Sequence, residues 1–262
     1  FTTSGLFVAV GTSGTILTSS DGISWTSRTS GTSRFLTQVK YGNNIFVTVG
    51  DSGTILTSSD GTSWTPRTSG TTQQLNDVTF GTGLFVTVGR SGTILTSPDR
   101  ITWTSRNIST TQHYLGVIYG NGLFIIVGNH NVGGGIVKGI ILTSSDGINW
   151  TTIISGTNQG HDKVTYGNGK YLIIGYLASE GQVLSSSNGV SWNSTDIVGG
   201  SQDVVYGNGM YVIVGYQGNS GWIYTSSDGI SWTTRTTPND GLLRGITYNG
   251  NSTFVTVGSS GT

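Results

Sequence analysis

Cysteine is absent from all 262 residues, which excludes disulfides, thiolate metal sites and a cysteine nucleophile. Charge is scarce: 9% of residues are charged, against a typical share of about 25%. The 12 basic and 12 acidic side chains cancel, so there is no basic footprint to displace counterions from phosphate, and nucleic acid is not an expected partner. No apolar run approaches the roughly 18 residues that cross a bilayer, and no charged segment followed by an apolar one opens the chain, so no membrane insertion is expected. Sustained 3.6-residue apolar periodicity is missing too, and helix content is expected to be close to nil. The chain opens on Phe1, in mid-repeat and without an initiator methionine; a processed product, or a piece of a larger chain or assembly, is expected.

What is abundant is glycine, 43 residues, more than twice the usual share of about 7%. A flexible linker would pair such glycine with few apolar residues, whereas here 34% are hydrophobic and regularly placed. The string TILTSSDGISWTSRTSGT at Thr15 returns at Thr54 and, with changes, at Thr93, Ile140, Gln182 and Trp222. Its tryptophans, Trp25, Trp64, Trp103, Trp150, Trp192 and Trp232, are 39, 39, 47, 42 and 40 residues apart. A period of about 40 residues is that of four-stranded propeller blades.

Within the second repeat, glycine punctuates four β-rich runs: Leu36 to Tyr41 (A), Ile45 to Val49 (B), Thr54 to Ser58 (C) and Trp64 to Thr68 (D). Asp60-Gly61 between C and D predicts a tight hairpin turn with positive φ at both central residues, and the Gly-Asn-Gly type of A–B connection predicts the same. Strand B is the most apolar in each repeat, as for a strand buried on both faces. The fold class is therefore all-β: a β-propeller of four-stranded antiparallel blades, six blades or a truncated seven. The repeats run approximately 1–31, 32–70, 71–109, 110–156, 157–198 and 199–240, with a partial 241–262, all read as a single domain. Six-bladed closure would use Leu243 to Tyr248 to complete the first blade and leave Phe254 to Val257 surplus; a truncated seven would stop early in its last blade.

The segment Ser58-Ser59-Asp60-Gly61-Thr62-Ser63-Trp64 and its copies resemble the Asp-box, or BNR repeat, of sialidases and of non-catalytic propellers, with one residue fewer between Asp and Trp. The larger frame (apolar strand, aromatic-Val-x-Val-Gly, Ser-Gly-Thr-Ile-Leu, box) resembles the photosystem II stability/assembly factor propellers. The resemblance spans the chain and implies structural roles for Asp21, Trp25, Asp60, Trp64, Asp99, Trp103, Asp146, Trp150, Asn188, Trp192, Asp228 and Trp232. The Asp carboxylate accepts turn N–H groups and the indole is a buried peg, so Trp64→Ala is expected to cost about 3 to 5 kcal/mol. Arg100 stands where the turn glycine belongs and is expected to force a different turn, while Asn188 replaces the acid.

A sialidase would need an arginine cluster, a Tyr–Glu pair and a separate acid. Glu180 is the only glutamate in the sequence, and most aspartates are committed to turns. The arginines Arg28, Arg67, Arg106 and Arg235 recur at one position of strand D, suited to a solvated edge that resists strand addition. No pair of carboxylates is legible at glycosidase spacing, so no catalytic residue, metal or cofactor is assigned.

Function is expected where the copies diverge. The B–C connection is four residues in the first three repeats and lengthens to Gly128–Gly139, Tyr176–Gly181 and Tyr216–Trp222 in the next three. With the D–A connections on the same face, this gathers His113, Tyr114, His130, Lys138, His161, Tyr176, Glu180, Tyr216 and Trp222 as candidate binding residues. Their rings would stack on a sugar or peptide while histidines and Glu180 supply hydrogen bonds; the alternatives are ordinary polar surface and, for Trp222, local core. The expected function is a non-catalytic binding or scaffolding propeller, extracellular or on a cell surface, recognising a carbohydrate or protein partner. A purely structural module of an extracellular assembly is the second reading, and an Asp-box glycoside hydrolase the third.

Overall fold

The computed structural model describes residues 5–106, 108, 112–131, 137–154, 157, 159–177, 180–218, 220–237, 241–248, 250 and 253–259. The expected antiparallel β-propeller blades are what it contains, and among the described residues the only helical pieces are three-residue 3-10 turns at Thr12–Gly14 and Asp51–Gly53. The first sheet holds β1 (Phe7–Val10), β2 (Ile16–Ser19) and β3 (Thr26–Arg28). The second holds β4 (Leu36–Gly42), β5 (Ile45–Gly50), β6 (Ile55–Ser58) and β7 (Thr65–Arg67). In the third are β8 (Leu75–Gly81), β9 (Leu84–Gly89), β10 (Ile94–Ser97) and β11 (Thr104–Ser105). The fourth has β12 (His113–Gly120), β13 (Leu123–Asn131), β14 (Val137–Ser144) and β15 (Thr151–Ile153). The fifth has β16 (Lys163–Gly167), β17 (Lys170–Leu177), β18 (Glu180–Ser186) and β19 (Asn193–Val198). β20 (Gly200–Gly207), β21 (Met210–Gln217), β22 (Ser220–Ser226) and β23 (Thr233–Arg235) make the sixth. Last come β24 (Leu243–Tyr248) and β25 (Phe254–Gly258), paired antiparallel, so Phe254 to Val257 has a partner strand of its own.

The chain divides into two compact units, Phe1–Ile126 with Ser144–Thr151 and Val127–Thr143 with Thr152–Thr262. Both are built on the same inter-sheet rule. Within each unit, a glycine ending a first strand accepts the aromatic ring of the next sheet's first strand. A Cβ on Gly42 or Gly81 of the first unit would lie within 2.5 Å of Phe80 or Tyr119, and on Gly167 or Gly207 of the second within 2.3 Å of Tyr206 or Tyr248. Each such ring also packs on the aromatic residue opening its own second strand, as in Phe80–Phe85 at 4.7 Å and Tyr206–Tyr211 at 4.7 Å between centroids. Carboxylates add a polar staple: Asp77 Oδ2 accepts Val117 N–H at 2.9 Å and Asp203 Oδ2 accepts Ile246 N–H at 3.0 Å, each from the following sheet. The second strands are the driest, with Val47, Val49, Phe124, Ile125, Ile126 and Val127 essentially unexposed.

The six Ser-x-Asp/Asn turns share one network. In the second sheet Ser58 Oγ donates to Asp60 Oδ1 (2.9 Å) and accepts Gly61 N–H (2.8 Å), while Asp60 Oδ1 accepts Thr62 and Ser63 N–H (2.8 and 2.9 Å). Only the glycine of the pair takes positive φ, 74° at Gly61, because the carboxylate already satisfies the turn donors without a doubly left-handed turn. The doubly positive turns are instead the A–B connections, such as Asn121 (47°) and Gly122 (78°). Arg100 does not force a different turn. It adopts φ 67° itself and donates its N–H to Ser97 Oγ at 2.8 Å, with Asp99 Oδ1 still accepting Ile101 and Thr102 N–H. Asn188 Oδ1 likewise accepts Val190 and Ser191 N–H.

These backbone donors hold the carboxyls of Asp21, Asp60, Asp146 and Asp228 well below the usual carboxylate range, and that of Asp99 at about 2. The stability they contribute is fully present above the unfolded value of roughly 4 and is lost as pH falls through the lower folded values. A fall in melting temperature from pH 4 towards 2 is therefore expected, and Asp60→Asn should reduce it; a melting temperature flat across that window would refute the assignment.

Candidate functional site

In the long connections of the fourth, fifth and sixth sheets, strand continues into residues expected to be loop: to Asn131 and from Val137, to Leu177 and from Glu180, to Gln217 and from Ser220. In the first two sheets the chain leaves β1 and β5 through the 3-10 turns at Thr12–Gly14 and Asp51–Gly53, whose serines Ser13 and Ser52 take φ of 54° and 55°. In the fifth sheet pairing continues through Tyr176↔Gly181 and Leu177↔Glu180, and in the sixth through Tyr216↔Gly221 and Gln217↔Ser220. The fourth sheet's β13 and β14 reach nine and eight residues. Extra alternating residues extend the ladder because two strands that already pair satisfy further backbone groups more cheaply than an open loop does. The B–C loops expected from the sequence are thus hairpin arms, and the described residues of all three belong to the second unit.

Each arm lays the glycine before its third-strand core against the segment that enters the next sheet. A Cβ on Gly181 would meet the Gly199 carbonyl at 2.6 Å, and on Gly221 the Gly241 carbonyl at 2.3 Å. On Gly139 it would meet His161 Nε2 at 2.2 Å and the Gln159 carbonyl at 2.4 Å. Asn129, on the fourth arm, accepts His161 N–H through Oδ1 at 2.9 Å.

The predicted residues fall into four groups. Lys138 and Tyr216 are on arms with exposed and half-buried side chains, and His130 is half-buried on β13. Arg244, which the sequence reading did not single out, places its guanidinium 5.8 Å from the centre of the Tyr216 ring, a cation–π distance. The backbones of Tyr176 and Glu180 are at arm register positions, and their side chains lie outside the described residues. His113, in the other unit, is exposed and accepts Ser91 N–H at Nδ1 at 3.4 Å.

Tyr114 and His161 are core rather than rim, and Trp222 is half-buried against the core. Tyr114 lies within β12, not in a loop, and is fully buried, its hydroxyl 3.3 Å from Gln112 Oε1. Trp222 packs edge-on to Tyr224 at 4.8 Å, against the cluster of Leu172, Ile174 and Ile213, and over Gly215, where a Cβ would come within 2.5 Å of the ring. Ser201, in register with Gly215, is small where Leu36 and Leu75 begin earlier sheets. His161 is 1% exposed and stands at the same core position. Among the described residues no three His, Asp or Glu side chains come together as a metal-ligand group.

This end of the second unit also collects buried polar atoms with no described hydrogen-bond partner: Gln159 Oε1, His161 Nε2, Gln182 Oε1, Ser201 Oγ and Trp222 Nε1. Burial holds the His161 imidazole down at about 4, against its ordinary 6.5. Between those values the unfolded chain takes up a proton that the folded chain refuses, so the stability this residue preserves above about pH 6.5 is lost as pH falls towards 4. Burial raises the neighbouring Asp162 carboxyl, which acts in the opposite sense. His161→Leu, restoring the residue of Leu36 and Leu75, is expected to raise the melting temperature at pH 4.5 and to flatten its pH dependence between 6.5 and 4. An unchanged slope in thermal melts would show that His161 titrates normally.

No family model matches the chain, and no curated protein matches it. Among solved structures it aligns with YCF48 bound to a D1 peptide at TM-score 0.73 and 16% identity, covering 98% of this chain and 88% of that one. It aligns with YCF48 from Cyanidioschyzon merolae at 0.70 and 16%, covering 100% and 91%. A nidogen/laminin complex aligns at 0.65 and 11%, covering 92% and 97%. At such identities the likeness shows the fold.

Proposed function

We propose that the chain is a non-catalytic, protein-binding β-propeller that engages its partner through the hairpin arms of the second unit. The carrying observation is that three successive hairpins continue beyond the register at which the first two sheets turn back. Extended arms expose strand edges and side chains that the blade's own core does not use, and a varied surface on a repeated scaffold is where repeat proteins recognise partners. Tyr216 with Arg244, and Lys138, are the surface groups best placed for this. Peptide and protein complexes among the aligned structures support a protein over a carbohydrate, as does the burial of Tyr114, which removes it from the stacking set. The turn networks support reading the six Ser-x-Asp/Asn turns as Asp-boxes with structural roles. Alignment over 98% of the chain supports a single propeller domain. An extracellular or surface location belongs to the same reading.

Peptide and glycan arrays probed with the same labelled protein test it. Binding to peptide spots, absent from glycan spots and weakened about tenfold in a Tyr216→Ala, Lys138→Ala variant of unchanged melting temperature, is expected. Glycan binding without peptide binding, or turnover of a chromogenic glycoside, would overturn it.

A further inference from the structure

The outer strand of the fifth sheet departs from every other described outer strand. β3, β7, β15 and β23 are three residues long and β11 two, whereas β19 has six, paired with β18 from Ser185↔Asn193 to Glu180↔Val198. Four of the short strands are followed or ended by an arginine that folds back over the sheet. Arg28, Arg67, Arg106 and Arg235 each donate Nε–H to the third-strand threonine Thr18, Thr57, Thr96 or Thr225 at 2.8 to 3.1 Å. β7 also carries Pro66, which removes a backbone donor from that edge.

Such features guard an edge against a further strand, and β19 lacks them. Register places Thr195 opposite Val183 where Arg67 stands opposite Ile55, and Ser194 opposite Leu184 where Pro66 stands opposite Leu56. β19 closes its sheet, so no described strand pairs with its outer side. A six-residue edge leaves about three N–H and three C=O groups directed outward. The composition, with Thr195, Ile197 and Val198, is that of a strand in mid-sheet, and the only charge is the exposed Asp196.

We infer that β19 is a strand-addition site, taking an extended segment of a partner protein as a fifth strand of this sheet, with a lysine or arginine of that segment opposite Asp196. Main-chain hydrogen bonds supply affinity and the single carboxylate supplies register. β19 runs out along the fifth arm through Glu180↔Val198, so the inference rests on the arm-binding reading above and names the form of its partner. A second copy of the chain is disfavoured, because self-pairing brings two Asp196 carboxylates to one short ladder with no basic residue to answer them.

The probe is a library of capped hexapeptides of alternating threonine and valine, each position varied, with backbone amide exchange of the unmodified protein as the readout. Members with a central lysine or arginine are expected to bind and to protect the outward amides of Ser194 and Asp196. The same peptides N-methylated at alternate amides should fail to bind. Ser194→Pro and Thr195→Arg copy arrangements the protein already uses in β7, so both should fold, and each should weaken binding at least tenfold. Binding that survives both variants, or protection appearing only elsewhere on the arms, overturns strand addition while leaving the arm reading intact. Peptides that bind nowhere on the chain overturn both. Concentration-dependent dimerisation abolished by Ser194→Pro, without peptide binding, would assign the edge to a second copy and overturn the inference.

Discussion

Trp103→Ala is expected to lower stability by about 3 to 5 kcal/mol, the range for deleting a buried aromatic side chain, and Trp64→Ala by distinctly less. The sequence treats the two indoles as equivalent pegs, one per repeat. Trp103 is 8% exposed and joins Val47, Val49, Ile55, Leu75, Val78, Phe85 and Leu95 in one cluster. Trp64 is half-buried at the margin of Ile16, Leu36 and Leu56. Its Nε1–H donates to the Gly61 carbonyl at 3.1 Å, so its replacement removes a turn bond and part of a contact surface, not a core element. At about 2 to 4 °C per kcal/mol for a chain of this size, Trp103→Ala should melt roughly 10 °C lower. Equal losses in the two variants by thermal or denaturant unfolding would restore the uniform-peg reading.

That contrast marks how far the repeat could be read from sequence. Strand identities, the order A to D and the punctuation by glycine follow from alternation and turn chemistry, which are local and repeat six times. Arm geometry is not local in this sense. Gly128 to Gly139 reads as a glycine-rich loop because nothing in its composition shows that β13 runs on to Asn131 and that β14 begins at Val137. The burial of Tyr114 and His161, and the packing of Trp222 against the core, are hidden for a related reason. Each fills a position whose requirement is set by residues across the sheet: the Leu36 and Leu75 position for His161 and Tyr114, the space above Gly215 for Trp222. A substitution at a core position looks like divergence for function when repeats are compared only along the chain. The inter-sheet carboxylates did leave a signal, in Leu-Asn-Asp-Val at Leu75 and Ser-Gln-Asp-Val at Ser201, which is legible once Asp77 and Asp203 are seen to hold the next sheet's N–H groups.

Gly89→Ala is expected to be among the most damaging single-methyl additions in the chain. Gly89 ends β9, and its requirement for glycine comes from space, not from φ, since it takes none of the positive values found at the turns. An added Cβ would lie 2.1 Å from the Gln74 carbonyl oxygen and 3.0 Å from its carbon. That carbonyl cannot simply swing away, because it accepts Arg90 N–H at 2.9 Å, and the adjoining Leu75 and Val88 are wholly buried. The same approach recurs at Gly50 with Phe35, Gly215 with Gly200 and Gly258 with Leu242, all at 2.1 to 2.2 Å, so it is how this fold brings the entering segment across its second strand. Relief requires moving backbone on both sides, which places the loss at or above the upper end of the usual 1 to 3 kcal/mol for overpacking. Gly83→Ala is the control: Gly83 is at φ 79° with nothing within 4 Å of its Cβ position, and only the left-handed strain of about 1 kcal/mol applies. Denaturant midpoints measured with a common slope should therefore separate the two variants by about 2 kcal/mol or more. Indistinguishable midpoints would mean that the Gln74 segment moves freely and that the glycine is not what holds it close.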